Sequence, residues 1–433
     1  MTEKAEKAIC VGLCTGSTKD EQEQAERSLE ELAELAEAAG ASVEAIVLQN
    51  RKHPEPATYM GSGKLQEIKQ MSQHKDINLI ICDDELSGSQ MRNIEQETDC
   101  RVIDRSMLIL DIFARRAVTR EGKIQVEMAQ LQYQLSHLAG QGQAMSRLAG
   151  GIGTRGPGES QMETDRRHIY RKIASLQKAL TKVSLNREQL RRKRQHEANT
   201  VIAVVGYTNA GKSTLINRIC QSDLFTADQV FATLDPSVRR LQFSDQRDVL
   251  LVDTIGFIRK LPHHLIDAFH STLEEVRQAD AILQVVDASD PDLEQQMETV
   301  DQLLADLEAS SKRRIIIFNK IDQLDLPQKK LFQNMARNKG RPDEEMITLS
   351  AKTGEGLDKL IEKIRQFNVS RQVSVSLLIP YQKTSWLHYM RQHGSLDSVA
   401  YLNEGIRAAG HIPQQFYEPL RPFVRLAKNG QER

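Results

Sequence analysis

The sequence predicts a multidomain α/β protein, and three observations carry that prediction. The chain has 433 residues, room for about three domains at roughly 150 residues each. Two separate regions alternate short β-rich apolar runs with polar helical stretches, the rhythm of a parallel sheet covered by helices. In the second of these regions Gly206-Tyr-Thr-Asn-Ala-Gly211-Lys212-Ser213 fits GxxxxGK[ST] in full.

Composition narrows the class. Lys and Arg number 58 against 59 Asp and Glu, a net charge of −1, which excludes a uniformly basic nucleic-acid coat or a strongly acidic tail; any basic surface is local. With 24 Gly and 12 Pro, both below their usual share, collagen-like and low-complexity classes are excluded. No run approaches the ~18 apolar residues of a membrane-spanning helix. The N-terminus lacks the basic and apolar regions of a secretion signal, so a cytoplasmic protein is expected. The five cysteines, Cys10, Cys14, Cys82, Cys100 and Cys220, show no metal spacing and read as buried small apolar residues in a reducing compartment.

The first region, residues 1–113, places strands at Ala8–Leu13, Val43–Leu48, Ile77–Asp83 and Arg101–Ile103, with a helix over Asp20–Ala39. Gly61-Ser62-Gly63-Lys64 lacks the full phosphate-loop spacing, because Leu65 follows the lysine, and reads as a turn into a helix.

Residues 114–197 differ in charge and in period. They carry 17 Lys or Arg against 7 Asp or Glu, a net of +10. Ile124, Met128, Leu131, Leu135 and Leu138 form one heptad seam, and Ile169, Ile173, Leu176, Leu180, Val183 and Leu190 form a second. Two seams predict an antiparallel helical hairpin, with its second helix over Met162–His196, roughly 50 Å long, projecting from the body. Between them, Gly140–Gly158 holds seven glycines in nineteen residues. So long a connection is uncommon unless functional or disordered.

The phosphate loop opens the third region, residues 198–369. It follows the strand Val201–Val205 and starts an amphipathic helix, so backbone N–H groups of Gly206, Tyr207, Thr208, Asn209, Ala210 and Gly211 can surround a phosphate, and Thr214 lies in the first turn. Lys212 neutralises β/γ charge and the Ser213 hydroxyl binds Mg²⁺. Asp253-Thr254-Ile255-Gly256 ends the next buried strand, where Asp253 can hold Mg²⁺ through water and the Gly256 N–H can reach a γ-phosphate. Asn319-Lys320-Ile321-Asp322 and Ser350-Ala351-Lys352 each follow further strands. The Asp322 carboxylate accepts from guanine N1–H and N2–H₂, a donor pair adenine lacks. Asn319 is expected at the other edge of the base, the Lys320 stem over the ring, and the Ala351 N–H at O6. Phe231-Ala232-Thr233-Leu234-Asp235 precedes a strand at Val238–Phe243, and Thr233 is the expected switch threonine and Mg²⁺ ligand, ahead of Thr226. Lys212, Thr233 and Gly256 are the expected catalytic groups. The remaining residues, 370–433, read as a small α+β module.

Taken together, these motifs resemble the translation-factor-related small GTPases. The flanks add Gly151-Ile-Gly-Thr-Arg-Gly-Pro-Gly-Glu-Ser-Gln-Met-Glu-Thr-Asp-Arg-Arg167, Gly61-Ser-Gly-Lys64 and Ile109-Leu-Asp-Ile-Phe-Ala114, which look like the signature of the HflX family over nearly the whole chain. Ser160 departs from the threonine usual there. The resemblance implies a P-loop GTPase domain preceded by an α/β domain and a long helical hairpin and followed by the small module. It also implies a ribosome-associated enzyme that binds GTP and GDP, contacts the large ribosomal subunit and its RNA, and separates subunits, particularly under stress. A monomer is expected. Arg147, Arg155, Arg166, Arg167, Arg191, Arg192 and Arg194 are the candidate RNA contacts, since cations neutralise phosphate. Asn209 stands where cation-dependent GTPases help hold K⁺. Two other readings stay open: a ribosome-assembly or RNA-modification GTPase, and a nucleotide-gated RNA-binding protein with little hydrolysis.

Overall fold

The computed structural model describes residues 5–16, 18–139, 157–196, 200–220, 237–243, 248–260, 270–337, 344–370 and 372–424. The chain divides into two compact units in its described residues. One holds Met1–Val183 with Ala227–Asp235 and Ile255–Leu273; the other holds Ser184–Thr226, Pro236–Thr254 and Glu274–Arg433.

The first unit is built on a four-stranded parallel sheet of β1 (Lys7–Cys14), β2 (Ser42–Asn50), β3 (Leu79–Cys82) and β4 (Arg101–Asp104), in the order β2-β1-β3-β4. Helices α1 (Lys19–Ala38), α2 (Ser62–Lys75), α3 (Gly88–Thr98) and α4 (Arg105–Arg116) connect or follow these strands. Parallel strands covered on both faces must be apolar throughout, and Ala8 to Val11 are accordingly buried without interruption. Helix α1 starts on a capping box: the Thr18 hydroxyl accepts from the Glu21 N–H, and Glu21 accepts in turn from the Thr18 N–H at 2.9 Å. Gly61 is the N-cap of α2, and Lys64 pairs with Glu67 at 2.7 Å, so this GSGK string opens a helix as expected. Four of the five cysteines are buried and all five are free.

Helix α5 (Arg120–Ala139) packs on α3 and α4. Tyr133 is buried, and the His137 ring lies 2.7 Å from the Leu86 carbonyl. Gly88 is required here, because a Cβ would stand 2.5 Å from the His137 carbonyl oxygen. Helix α6 spans Pro157–His196, forty residues and therefore about 60 Å of helix, starting five residues earlier than the seam predicts because Pro157 suits a first helical turn. Lys172 on α6 meets Glu127 on α5 at 2.7 Å. Glu127 lies twelve residues before the end of α5 and Lys172 fifteen after the start of α6, the register of an antiparallel hairpin. Along α6, Ile169 is buried and Ile173, Leu176, Leu180 and Val183 are half-buried, while Arg166, Arg167, Arg171, Lys172, Lys178 and Lys182 are exposed. Most of the glycine-rich stretch, with Arg147 and Arg155, lies outside the described residues, as do the side chains of Leu190, Arg191, Arg192 and Arg194.

In the second unit a six-stranded sheet runs β10-β9-β8-β5-β7-β6, from β5 (Thr200–Gly206), β6 (Ser237–Leu241), β7 (Val249–Asp253), β8 (Ala281–Asp287), β9 (Arg313–Asn319) and β10 (Glu344–Thr348). Every pairing is parallel except β6 with β7. Helices α7 (Lys212–Cys220), α8 (His270–Gln278), α9 (Leu293–Asp306), α10 (Leu326–Arg337) and α11 (Leu357–Ser370) follow in chain order, α8 beginning in the first unit. One core cluster joins Ile202, Val204, Leu215, Leu251, Leu283 and Ile317, which is how a single sheet fixes the ends of five loops at once. The C-terminal residues form the expected α+β module, an antiparallel sheet β11 (Gln372–Ile379), β13 (Gly405–Pro413) and β12 (Ser395–Leu402) with helix α12 (Ser385–His393) and its own apolar cluster. No helix among the described residues is long and apolar enough to cross a membrane.

Candidate functional site

The strand order reverses at β5, which has β8 on one side and β7 on the other. Open α/β sheets bind ligands beyond the carboxyl ends of strands at such a point. Gly206 ends β5 with φ 153°, and a Cβ there would stand 2.2 Å from the Val285 carbonyl oxygen of β8. Gly211 has φ 92°, and its Cβ would stand 2.4 Å from Asn319 Nδ2. Both positions exclude any side chain, which is the physical content of the two motif glycines. Asn209 lies between them, exposed, in the left-handed region at φ 59°. Asparagine tolerates that conformation better than most residues.

The Ala210 N–H donates to the Tyr207 carbonyl at 3.3 Å and the Leu215 N–H to that of Gly211 at 2.9 Å, so α7 starts directly from the loop. Its N-terminal N–H groups and dipole favour an anion there. Lys212 is buried, and its ammonium donates to the Gly206 carbonyl at 3.1 Å and the Tyr207 carbonyl at 2.8 Å. Burial pulls its pKa down to about 8, with Asp253 opposing the shift.

Asp253 ends β7 fully buried and accepts a hydrogen bond from the Ser213 hydroxyl at 2.9 Å. A carboxylate and a hydroxyl brought together from two elements are the hard oxygen donors that suit Mg²⁺. Behind them the Thr254 hydroxyl donates to the Val204 carbonyl at 2.7 Å, pinning the end of β7 to β5. Phe231–Asp235 and Thr226 lie outside the described residues, so Thr233 is not placed.

Asn319 is buried, its Nδ2 donates to the Ala210 carbonyl at 2.8 Å, and its Oδ1 accepts from the Ala351 N–H at 2.9 Å. It braces the phosphate loop against the SAK loop, and the Ala351 N–H, expected at O6, takes part in the same brace. A short amide on the last residue of β9 can reach both loops because the sheet brings both beside it. Asp322 lies within a turn of 3₁₀ helix, Ile321–Gln323, and accepts from the Ser350 hydroxyl at 2.5 Å, which in turn accepts from the Thr353 N–H at 3.1 Å. Ile321 is buried beneath it, and Lys352 is exposed. Lys320 has φ 61°, and its ammonium pairs with Asp287 at 2.7 Å.

Sequence reasoning missed Asp287. It ends β8 in register with Asn319 of β9, and an acid at the end of a neighbouring strand was the available signal. On α6, Arg166 and Arg167 are exposed; Arg166 lies 5.9 Å from the Tyr170 ring centre and Arg167 donates to the Glu163 carbonyl at 3.3 Å.

Three family models match consecutive stretches of the chain. They are described as GTP-binding GTPase N-terminal, over residues 26–114; GTP-binding GTPase Middle Region, over 116–194; and 50S ribosome-binding GTPase, over 201–320. The GTPase HflX of Lacrimispora saccharolytica is 44% identical across 97% of this chain and 96% of its own. The chain belongs to the HflX family of GTPases. Also similar are the HflX proteins of Alkalihalophilus pseudofirmus, 51% identical over 65% of this chain and 66% of that one, and of Escherichia coli K12, 39% identical over 90% and 89%. A solved GTP-binding protein from the archaeon Sulfolobus solfataricus in complex with GDP is 26% identical, covering 84% of this chain and 99% of that one with a TM-score of 0.45. As an HflX-family GTPase, the chain binds guanine nucleotide and hydrolyses GTP to GDP and phosphate.

The depressed Lys212 pKa of the HflX-family site has a measurable consequence. Phosphate binding favours the ammonium, so binding takes up a proton wherever free Lys212 is neutral, and affinity falls as pH rises through about 8. Titration calorimetry with GDP should give a Kd roughly three- to fourfold weaker at pH 8.5 than at pH 7, a dependence that Lys212→Arg removes.

Proposed function

We propose that this HflX-family GTPase binds the large ribosomal subunit in the cytoplasm as a monomer and separates ribosomal subunits, particularly under stress, with GTP setting its grip. Its working parts are residues 1–113, 114–197, 198–369 and 370–433. The observation that carries the reading is α6: forty residues of helix with a half-buried apolar seam and an exposed basic face, in one chain with a complete phosphate loop. Cations on a long hairpin meet RNA phosphate, and a glycine-rich stretch lets backbone approach closely. The name 50S ribosome-binding GTPase, carried by the family model over 201–320, supports the same partner.

At the nucleotide, backbone N–H groups of Gly206–Gly211 and of the α7 start surround the β-phosphate, with Thr214 one residue beyond Ser213. Lys212 exchanges its two carbonyl partners for β/γ oxygens. Ser213, Asp253 through water, and Thr233 would hold Mg²⁺, which neutralises charge on the phosphates when bound. Thr233 and the Gly256 N–H contact the γ-phosphate, so both segments, Phe231–Asp235 and Asp253–Gly256, read whether it is present. Asp322 selects guanine, Ser350 orients its carboxylate, and the Lys320 stem covers the base. The residue after Gly256 is Phe257, buried and unable to hydrogen-bond a water. Intrinsic hydrolysis is therefore slow, and the ribosome accelerates it. Asn209 would help hold K⁺ beside the phosphates, where added positive charge stabilises the transition state.

Three outcomes test this. Asp322→Asn should weaken GTP by roughly 2–4 kcal/mol, through loss of hydrogen bonds to a charged acceptor, while gaining affinity for xanthine nucleotides; fluorescent-nucleotide competition measures both. Multiple-turnover phosphate release should run several-fold faster in K⁺ than in Na⁺, with Asn209→Ala abolishing the difference. Replacing Gly140–Gly158 by a short turn should leave GTP binding intact and abolish subunit separation in sucrose gradients. A tip-replaced protein that splits ribosomes at the wild-type rate would discard the arm as effector, and binding only to immature particles would favour an assembly GTPase.

A further inference from the structure

The tetrapeptide Asn319-Lys320-Ile321-Asp322 leaves the sheet between two neighbours, because β9 has β8 on one side and β10 on the other. Each side supplies a partner to one of its charged side chains. From beyond β10, the Ser350 hydroxyl donates to the Asp322 carboxylate at 2.5 Å. From the end of β8, the Asp287 carboxylate meets the Lys320 ammonium at 2.7 Å, with 13% of the aspartate side chain and 23% of the lysine side chain exposed. An ion pair so shielded is screened less than one on an open surface.

Asp287 is itself held in place. Its Oδ1 accepts from the Ser289 N–H at 2.9 Å and from the Ser289 hydroxyl at 2.6 Å, which leaves Oδ2 for the ammonium. The Ser289 hydroxyl also lies 3.1 Å from Gln323 Oε1, at the end of the 3₁₀ turn that carries Asp322. Main chain joins the same two segments: Asp287 pairs in register with Asn319, and the Ala288 N–H donates to the Asn319 carbonyl at 2.9 Å. Lys320 turns away from β9 with φ 61°, a left-handed conformation that costs a non-glycine residue and persists where the surroundings fix it. Lysine is among the side chains with most rotamer freedom to lose on being ordered. Here the turn anchors its backbone and Asp287 anchors its ammonium, so the methylenes between are confined before a base arrives, and part of the ordering cost of binding is met in advance.

We propose that Asp287 is a positioning residue for nucleotide binding, holding the Lys320 stem against the face of the base, while Ser350, acting through Asp322, serves its edge. The assignment rests on the reading in which the Lys320 stem covers the base. Contact with a ring face is alike for guanine and hypoxanthine, whereas the Asp322 carboxylate tells them apart, because hypoxanthine lacks the 2-amino donor. The two sides of β9 thus divide recognition. The β8 side sets how tightly either purine is held, and the β10 side sets which is preferred.

Competition of GDP and inosine diphosphate against a fluorescent GDP on the full-length protein tests the assignment. Asp287→Asn, which keeps the side chain's size and removes its charge, should weaken both nucleotides by the same factor, roughly threefold or more, and leave their ratio unchanged. Ser350→Ala should instead narrow that ratio by roughly threefold. In steady-state hydrolysis Asp287→Asn should raise KM by its binding factor with little change in kcat, the mark of binding lost equally from ground and transition states. Lys320→Met keeps an apolar stem and removes the ammonium; it should match Asp287→Asn, and the double variant should be no weaker than either. It also carries the test if Asp287→Asn folds poorly. Wild-type GDP affinity in Asp287→Asn or Lys320→Met while Lys320→Ala weakens GDP, additive losses in the double variant, or a changed GDP-to-inosine-diphosphate ratio in Asp287→Asn each overturn the role of Asp287. Wild-type affinity in Lys320→Ala faults the stem as cover of the base, and the assignment falls with it.

Discussion

The close approach of the β5 end to β8 is the constraint on which the nucleotide site depends. With the Val285 carbonyl where a Gly206 side chain would stand, the chain leaves the sheet as bare backbone, and bare backbone presents N–H groups to an anion. Everything else at the site is fastened to that turn. The Lys212 ammonium closes over the carbonyls of Gly206 and Tyr207, the Ser213 hydroxyl reaches the buried Asp253, and Asn319 ties Ala210 to Ala351. The motif loops are thereby fastened to one sheet.

A second electrostatic constraint organises the N-terminal unit. A buried guanidinium needs charged partners, and Arg105 pairs with Asp83 and Glu31. Asp83 also pairs with Lys260, as does Asp84. Helix α5 is fastened to the same body by a different route, through the His137 ring at the Leu86 carbonyl and the close packing over Gly88. The hairpin thus grows from a helix already built into the N-terminal core.

The arm separates its two faces by physical role. Its apolar seam is the only part shielded from water among the described residues of α6, while six cations between Arg166 and Lys182 stay exposed. Exposed charge of one sign on a long helix adds little to folding stability and much to long-range attraction for polyanions. A net charge of −1 for the whole chain conceals this, since the arm alone carries +10.

Much of this was legible in the chain. The strands that carry the motifs of the nucleotide domain, the phosphate loop, Asp253 and Asp322 could be read, because a phosphate loop is a local device: its residues are consecutive, and the strand before and helix after it announce themselves by hydrophobic period. The heptad seams of the arm were legible for the same reason. What the sequence did not disclose is where side chains from distant segments spend their hydrogen bonds. Asn319 belongs to a recognised tetrapeptide, yet its amide also ties Ala210 to Ala351; Lys320 meets an aspartate from another strand; and Lys260 meets two acids 176 and 177 residues away. Local pattern fixes which backbone is extended or helical. Only the packing of sheets and helices decides which buried charges become neighbours, because that choice depends on desolvation and on partners that no spacing along the chain encodes.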